Sequence, residues 1–572
     1  MTASSSKPSG TAEASVYDLI VIGAGGGGMA AALFGAIAGA RVLLLESTSF
    51  VGGTTAFSGG TTWIPNTRHA ASVNPDDSVG DARKYLSTLI GPHLNPDLLD
   101  AFLKSGPQAI DQLEDNSDVH FRAFQLHPDY ESEIEGSTTS GRALEPLPFD
   151  GGLLGDAFRL VRPPIPEFTV LGGMMIDRTD IGHLLNITKK WESFGYSLKL
   201  IARHLRDRLT HPRGTRLLIG NALVGRFLFS LNKRNVPIWT EAAVTGIQLM
   251  GSGVILLSVT RGGQQHVLRA TRGVVMAAGG FSRNEALRQE RLGKIAPFSP
   301  VAPGNTGGGI ELALSLGGRM GKDGYEPVQW APVSARQRPD GTMAVFPHFI
   351  MDRGKPGTMV VNQRGERFLN ETLSYHRFVH AMREANTDGA CIPAYLVVDR
   401  QAMQKYGLGM VRPGTRDTSA FIAEGYLFKA KTLEELAGKL GMQPAALAAS
   451  AAQINRAADT GVDEAFGRGS TIYQRNIGDP AAANPNLGRI DNAPFYAVRI
   501  YPGDIGAASG LVTDTHANVL GAGDQPIPGL YAVGGDMHSV MGGTYPGPGI
   551  TIGPAIAFAF RAVEHAMARA TP

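Results

Sequence analysis

Gly23-x-Gly25-x-x-Gly28, followed by an acid at Glu46, is where residue type and spacing in this chain most directly imply chemistry. Gly23 permits a tight turn, Gly25 lets backbone approach a pyrophosphate, and Gly28 lets a helix pack closely on a strand. A helix opening there offers free N–H groups and a partial positive charge to phosphates. Glu46 supplies a carboxylate that accepts hydrogen bonds from ribose hydroxyls. The implied chemistry is dinucleotide binding. The loop after Glu46, STSFVGGTTAFSGGTTWIPN, adds two Gly-Gly pairs and many hydroxyls, a composition that can fold N–H groups around a cofactor. Near the other end, LYAVGGD carries Asp536 and precedes a last helix. A first-strand dinucleotide motif completed by such a terminal Gly-Asp segment points to FAD, whose ribityl chain needs a second anchor.

The elements that must position these residues are legible around them. An apolar strand, YDLIVIG, runs into the first glycine; the small-residue helix MAAALFGAIAGA follows, and RVLLLE climbs to Glu46. Residues from about 80 to 115 carry apolar positions at helical spacing, and 127–150 read as loop or short strand. Strands are expected at 237–247, 253–260 and 266–271, with a further small-residue strand, GVVMAAGGF, over 273–281. NTGGGIELALSLGG reads as a glycine turn into a helix, and TIGPA near Thr551 as a helix start with Pro554 in its first turn. The fold class expected is α/β, a Rossmann-like FAD-binding domain with an inserted α+β catalytic cap. The expected organisation is a disordered lead-in over 1–15, an FAD-binding first part over 16–330, a catalytic domain over 331–504 and an FAD-binding second part over 505–572.

Composition narrows the function classes. At 572 residues the chain is too long for one simple core. Its 53 basic and 51 acidic residues give no global charge that would suggest nucleic acid. The one cysteine, Cys391, excludes an internal disulfide and any cysteine-built metal or iron–sulfur site. His120, His127 and His183 lack metal spacing, and no GxSxG elbow with triad partners is apparent. The amino terminus is not a signal peptide, and no stretch reaches the roughly 18 apolar residues of a membrane span. A reducing, cytoplasmic setting is expected. One segment stands apart: Lys199–Arg234, within a basic insert over about 172–235, holds nine Lys/Arg and one acid, Asp207. Leu198, Ile201, Leu205 and Leu209 recur there at helical spacing. It reads either as an amphipathic helix packed on the body with a solvated basic face, or as a surface that touches anionic lipid peripherally.

Glu46 with VGGTTAFSGG, AAGGF, NTGGG, VVNQRGERFLNE and YAVGGD resembles the fumarate reductase and 3-oxosteroid dehydrogenase flavoproteins over nearly all of residues 16–568. Fumarate reductases carry an HGxNRLGGN-like stretch before the last helix. Here that region reads MGGTYPGPGITIGPA, with no arginine to grip a dicarboxylate. Tyr-x-Gly-x-Gly followed by TIGPA resembles instead the 3-oxosteroid Δ1-dehydrogenases, and LGGMMIDRTDIGHLL with HPRGTRLLIGNAL is similar to the larger members of that group, some of which associate with membranes.

That resemblance implies a chemistry and the residues for it. Desaturating C1–C2 of a 3-oxosteroid requires two donors on the ketone oxygen, here the Tyr545 hydroxyl and the Gly549 N–H, with Pro546 and Pro548 stiffening their loop. Tyr375 matches the base for the C2 proton and Tyr130 its hydrogen-bonding partner; read without the resemblance, any of the 14 tyrosines is as readily packing or surface. The C1 hydride would pass to flavin N5. Cofactor contacts are implied at Gly23, Gly25, Gly28, Glu46, Gly52, Gly53, Thr54, Ser58, Gly59, Val244, Gly279, Asp536 and Ile552. No histidine in the FVGGTTAFSGG loop is placed for covalent attachment, so FAD is expected to be non-covalent, and a quinone-like acceptor is expected to reoxidise it. The rival readings are a 3-oxo-5α-steroid Δ4-dehydrogenase, a fumarate-type reductase, and a flavin-folded binding module without turnover.

Overall fold

The computed structural model describes residues 14–350 and 352–570. The lead-in expected over 1–15 lies, through residue 13, outside the described residues; Ser15 already belongs to the first strand. That strand, Ser15–Ile22, is central because its Leu19–Ile22 half is apolar on both faces and can only be buried on both. It pairs in parallel with Val42–Leu45 on one side and with the end of Gln264–Met276 on the other. Ile238–Trp239 extends the sheet beyond Val42–Leu45, and Pro526–Ala532 joins the far side of Gln264–Met276.

Gln264–Met276 corrects the expectation of separate strands at 266–271 and 273–281. It is a single strand with two kinds of neighbour. Its first half closes an antiparallel meander with Ile255–Arg261 and Ala242–Leu249. Its second half is the parallel partner of the first strand, Val274 opposite Ile20. Thr271-Arg272 interrupts the apolar pattern, and the ladder to the first strand shifts register there, between Ala270 and Gly273, without ending the strand.

Helices cover the parallel sheet. Gly26–Ile37 is almost entirely small and buried, which lets it lie against both the sheet and the last helix, Ile552–Ala568. The segment expected to be helical over 80–115 divides into Val79–Ile90 and Pro96–Asn116, because Gly91-Pro92 ends the first and Asn95 caps the second. A second, six-stranded sheet holds Val328–Gln337, Met343–Pro347, Thr358–Val361, Ala394–Val398, Leu427–Ala430 and Phe495–Ala507. The domain edges expected at 330 and 504 both fall inside strands of this sheet, two strands that pair with each other.

The basic insert folds as helices Arg178–Leu185, Trp191–Asp207 and Ile219–Lys233. Trp191–Asp207 turns its polar side inward: Ser193, Ser197, His204 and Asp207 are buried. Its apolar side faces out, with Trp191 89% and Leu209, just past its end, 82% exposed, and Phe194, Leu198 and Leu205 also exposed. A helix packed through its apolar face is therefore not what this segment forms. Its basic residues divide as well: Lys189, Lys190, Lys199, Arg206 and Arg208 are exposed, whereas Arg213 is buried against Asn221 and Arg216 is paired with Asp177 and Asp180.

Candidate active site

One cavity of about 540 Å3 runs between the two sheets, from Glu46 and Val244 at one end to Tyr130, Tyr375 and Tyr545 at the other. The glycine motif forms its first wall. Gly23 has φ +104°, and a Cβ there would lie 2.3 Å from the Ala277 carbonyl oxygen. A Cβ on Gly28 would lie 1.8 Å from the Gly23 carbonyl oxygen, so this position holds helix to turn and does not line the cavity. Gly25 caps the helix, and a Cβ on it would meet nothing within 4 Å: its open side faces the cavity. The helix start and the space before it fit a pyrophosphate.

Glu46 is buried, and its carboxylate accepts from the Ala24 N–H at 3.0 Å and from the Thr48 N–H and hydroxyl at 2.9 and 2.7 Å. These bonds fix it at the cavity edge with acceptor capacity left for ribose hydroxyls. Gly53, Thr54, Ser58, Gly59, Val244, Gly279 and Ile552 all line the cavity. Thr54 also accepts from the Ala302 N–H and the Asn305 amide, tying the loop after Glu46 to the loop that opens the Gly308–Ser315 helix. Gly52, with φ +110°, packs against Val224 behind that loop.

Asp536 acts differently from a cavity-lining anchor. Its carboxylate is fully buried and accepts from the Ala278 N–H at 2.6 Å and the Gly280 N–H at 2.8 Å. Burial pushes its pKa up to about 6. Its side chain shapes the Ala278–Gly280 loop, and the neighbouring Gly534, Gly535 and Met537 line the cavity in its place. These residues fit FAD: a phosphate cradle, a ribose acid, and a second glycine segment at the far side of the sheet.

At the other end, tyrosines from distant segments converge. Tyr375 opens the helix Tyr375–Glu384, capped by Ser374. The Tyr130 hydroxyl donates to the Tyr375 hydroxyl at 3.1 Å. The Tyr545 ring stacks on Tyr130 at 5.6 Å and meets Tyr375 edge-on at 5.0 Å. Burial pushes the Tyr130 and Tyr375 phenols well above the ordinary tyrosine range and Tyr545 up to about 12. His376, beside them, is pushed down to about 3 by burial and so brings no positive charge.

Gly549 sits at the same end with φ +96°, where a Cβ would lie 2.3 Å from the Thr61 carbonyl oxygen. Its carbonyl accepts from the Trp63 and Gly553 N–H groups at 3.2 and 2.9 Å. Its own N–H makes no hydrogen bond among the described residues and is left for a ligand. The loop is fastened from the opposite side, because the Pro546 carbonyl accepts from the Tyr130 N–H at 2.8 Å and the Tyr85 hydroxyl at 2.6 Å. Asp129, next to Tyr130, is held by the Trp63 indole and the Arg142 guanidinium, both at 2.8 Å, and Arg142 also clamps Asp77. Trp63, Asp129 and Arg142 are joined by packing between separate segments, and no local spacing in the sequence marks them.

A family model described as an FAD binding domain matches residues 18–552. The chain is 36% identical to the 4-oxocyclohex-2-ene-1-carboxylate 5-dehydrogenase of Sinomonas cyclohexanicum, over 95% of this chain and 92% of that one. It is 33% identical to the 3-oxosteroid 1-dehydrogenase of Mycolicibacterium smegmatis, over 96% of each. Among solved structures, the 3-ketosteroid Δ1-dehydrogenase of Sterolibacterium denitrificans in complex with 1,4-androstadiene-3,17-dione matches with a TM-score of 0.88 and 34% identity, covering 97% of this chain and 99% of that one.

Proposed function

The chain belongs to the FAD binding domain family, and on that premise we propose that it is a 3-oxosteroid Δ1-dehydrogenase that removes one hydrogen each from C1 and C2 of ring A. The observation that carries this reading is the meeting of Tyr375, Tyr130, Tyr545 and the N–H of Gly549 at one end of the cavity. The Tyr545 hydroxyl and the Gly549 N–H would donate to the ketone oxygen, where charge develops as the C2 proton leaves. Each donor is worth on the order of 3 kcal/mol to that step. Tyr375 would take the proton as the phenolate, becoming the neutral phenol, with the Tyr130 hydroxyl donating to its oxygen. FAD, when bound, supplies the acceptor for the C1 hydride. Gly23, Gly25 and Glu46 would hold its adenosine half; Gly279, Ile552 and the Gly534–Gly535 segment would hold the other. Residues 331–504 would give the substrate end Pro347, Phe349, Ile350 and Tyr375, while 16–330 and 505–570 would hold the cofactor and complete the substrate end with Tyr130, Tyr545 and Gly549.

The carboxylated cyclohexenone of the Sinomonas relative is the second reading, since that relative is at least as similar. The cavity lining favours a neutral ketone over it. Among the described residues no lysine lines the cavity, and the one arginine that does, Arg162, donates to the Thr48 hydroxyl and the Phe50 carbonyl beside Glu46, at the end away from the tyrosines. A carboxylate bound near Tyr545 would have no guanidinium to pair with. Anaerobic mixing with androst-4-ene-3,17-dione should bleach the flavin and give a 1,4-diene, whereas 4-oxocyclohex-2-ene-1-carboxylate should not. Bleaching by the acid alone would overturn the steroid reading.

The outward apolar side of Trp191–Asp207, flanked by Lys189, Lys190, Lys199, Arg206 and Arg208, supports peripheral contact with an anionic membrane. Among the described residues no helix is long and apolar enough to cross one. Such contact would bring the flavin's reoxidation near a quinone-like acceptor, on the cytoplasmic side of the inner membrane. Sedimentation with anionic vesicles checks it, and failure of the wild type to sediment would remove this part of the reading.

A further inference from the structure

Gln329 lines the cavity and is only 1% exposed, yet its amide makes no hydrogen bond among the described residues. Its Oε1 is buried without any partner. The residue stands on Val328–Gln337, opposite Gly506, at a register shift between Gln329 and Trp330. Trp330 does not line the cavity, so the strand gives side chain 329 to the cavity and 330 to the packing behind it. Polar side chains that share this lining are engaged elsewhere. The Asn305 amide donates to Thr54 and to the Gly279 carbonyl. Ser539 is brought beside the strand, since its N–H donates to the Ala508 carbonyl and the Ala508 N–H to the Pro327 carbonyl. The Ser539 hydroxyl oxygen, however, accepts from the Met541 N–H at 3.2 Å.

Two contacts fix where along the cavity Gln329 lies. On one side, the Trp330 N–H donates to His376 Nδ1 at 3.1 Å, and His376 follows Tyr375. On the other, Ile505, Gly506 and Ala507 of the pairing strand line the cavity too. A Cβ on Gly280, in the loop that Asp536 holds, would lie 2.6 Å from the Ala507 Cβ. Gln329 is therefore set between the helix of Tyr375 and the cofactor loop. Ring A must lie there, because C1 has to face the flavin while its bonded neighbour C2 faces Tyr375.

A buried amide without partners is unfavourable and calls for a ligand that hydrogen-bonds. The steroid does not supply one at this point. Its ketone is taken by Tyr545 and Gly549, its rings are hydrocarbon, and any oxygen on its last ring lies away from the tyrosines. We propose that the Gln329 amide hydrogen-bonds the N5–C4=O edge of the flavin ring and, by bonding it better once reduced, makes the bound flavin a stronger electron acceptor. The inference rests on the desaturation reading for the place of ring A. An amide brings both N–H donors and a carbonyl acceptor. The flavin C4=O gains negative charge when the ring takes up two electrons, so the Gln329 N–H bond to it strengthens. N5 accepts hydrogen bonds in the oxidised ring and carries a hydrogen in the reduced one, which the Gln329 carbonyl can accept. The hydride reaches N5 from the face of the ring, so an in-plane bond from Gln329 leaves its path open. Hydrogen bonds at such positions are a lever by which protein tunes a flavin.

The test uses the FAD-loaded protein without substrate and two readouts. The first is the flavin reduction potential, measured by equilibration with a redox dye. Gln329→Met, close in shape but without the amide, should lower the equilibrium constant for reduction about tenfold, a fall of about 30 mV for a two-electron couple. The second is the infrared stretch of the flavin C4=O, which a hydrogen bond lowers and which should rise in Gln329→Met. Should that variant not load FAD, Gln329→Asn, whose amide is drawn back by one methylene, should shift both readouts in the same direction by less. A loaded variant with potential and carbonyl stretch as in the wild type overturns the inference. An unmoved potential with weaker binding of the 1,4-diene product also overturns it and gives the amide to the steroid. Failure of any 3-oxosteroid to bleach the flavin, with both readouts shifted in Gln329→Met, overturns the substrate reading and leaves this one standing.

Discussion

The two ends of the cavity are built by different means. The cofactor end is made of backbone: helix N–H groups, positive-φ glycines, and side chains such as Asp536 whose work is to hold main chain in place. The tyrosine end is made of side chains brought from residues 130, 375 and 545, with one backbone N–H at Gly549. A backbone site is encoded where it stands, because local turn chemistry suffices to make it. A side-chain site exists only after sheets and loops far apart in sequence have packed. Damage to the first should therefore abolish binding, and damage to the second should abolish chemistry while binding survives.

The largest expected effect tests the first half of that contrast. Gly28→Ala would place a methyl within 1.8 Å of the Gly23 carbonyl, so the flavin-to-protein ratio after purification should fall to near zero. A fully loaded variant would show that the turn is more compliant than its geometry implies. Tyr375→Phe comes next. It should retain FAD in full while the rate of flavin bleaching drops by about 10^2- to 10^4-fold; an unchanged rate removes Tyr375 as the base. Tyr545→Phe should lower the same rate by about 10^2-fold, and a change confined to KM would argue against a role in stabilising the enolate. Glu46→Gln, at the opposite end, should weaken FAD binding by about tenfold without altering the bleaching rate of the loaded fraction. Smallest in its effect on catalysis is the pair Trp191→Ser and Leu209→Ser, expected to reduce vesicle sedimentation while flavin bleaching in solution stays as in the wild type.

The same contrast explains what could be read from the chain. The strand–turn–helix at Ser15–Ile37, the acid at Glu46 and the last helix after Thr551 follow from local pattern, and they stand where pattern puts them. Tyr130, Tyr375 and Tyr545 carry no local mark of their own. They were found through resemblance to a family, and the structure brings them within ring contact of each other. Arg142, which fixes Asp129 and Asp77 behind them, carries no such mark either, because what singles it out is packing. Trp191–Asp207 was ambiguous for a related reason: periodicity reports that two faces differ, not which of them the body covers.

The fastening of the loop around Gly549 bears on how this enzyme could change its range of substrates. A Cβ on Gly547 would reach the Trp63 indole nitrogen at 2.7 Å, and one on Gly553 the Trp63 carbonyl oxygen at 2.1 Å. That side of the cavity leaves little scope for variation at its glycines, because a side chain on Gly547, Gly549 or Gly553 collides with main chain or with a buried indole. Across from it, Pro347, Phe349 and Ile350 present ordinary apolar side chains to the same space. New preferences for bulkier or slimmer rings should therefore accumulate on residues 347–350, while 545–553 stays as it is. A library randomised on the first segment should yield active variants with altered selectivity; one randomised on the second should yield mostly inactive protein.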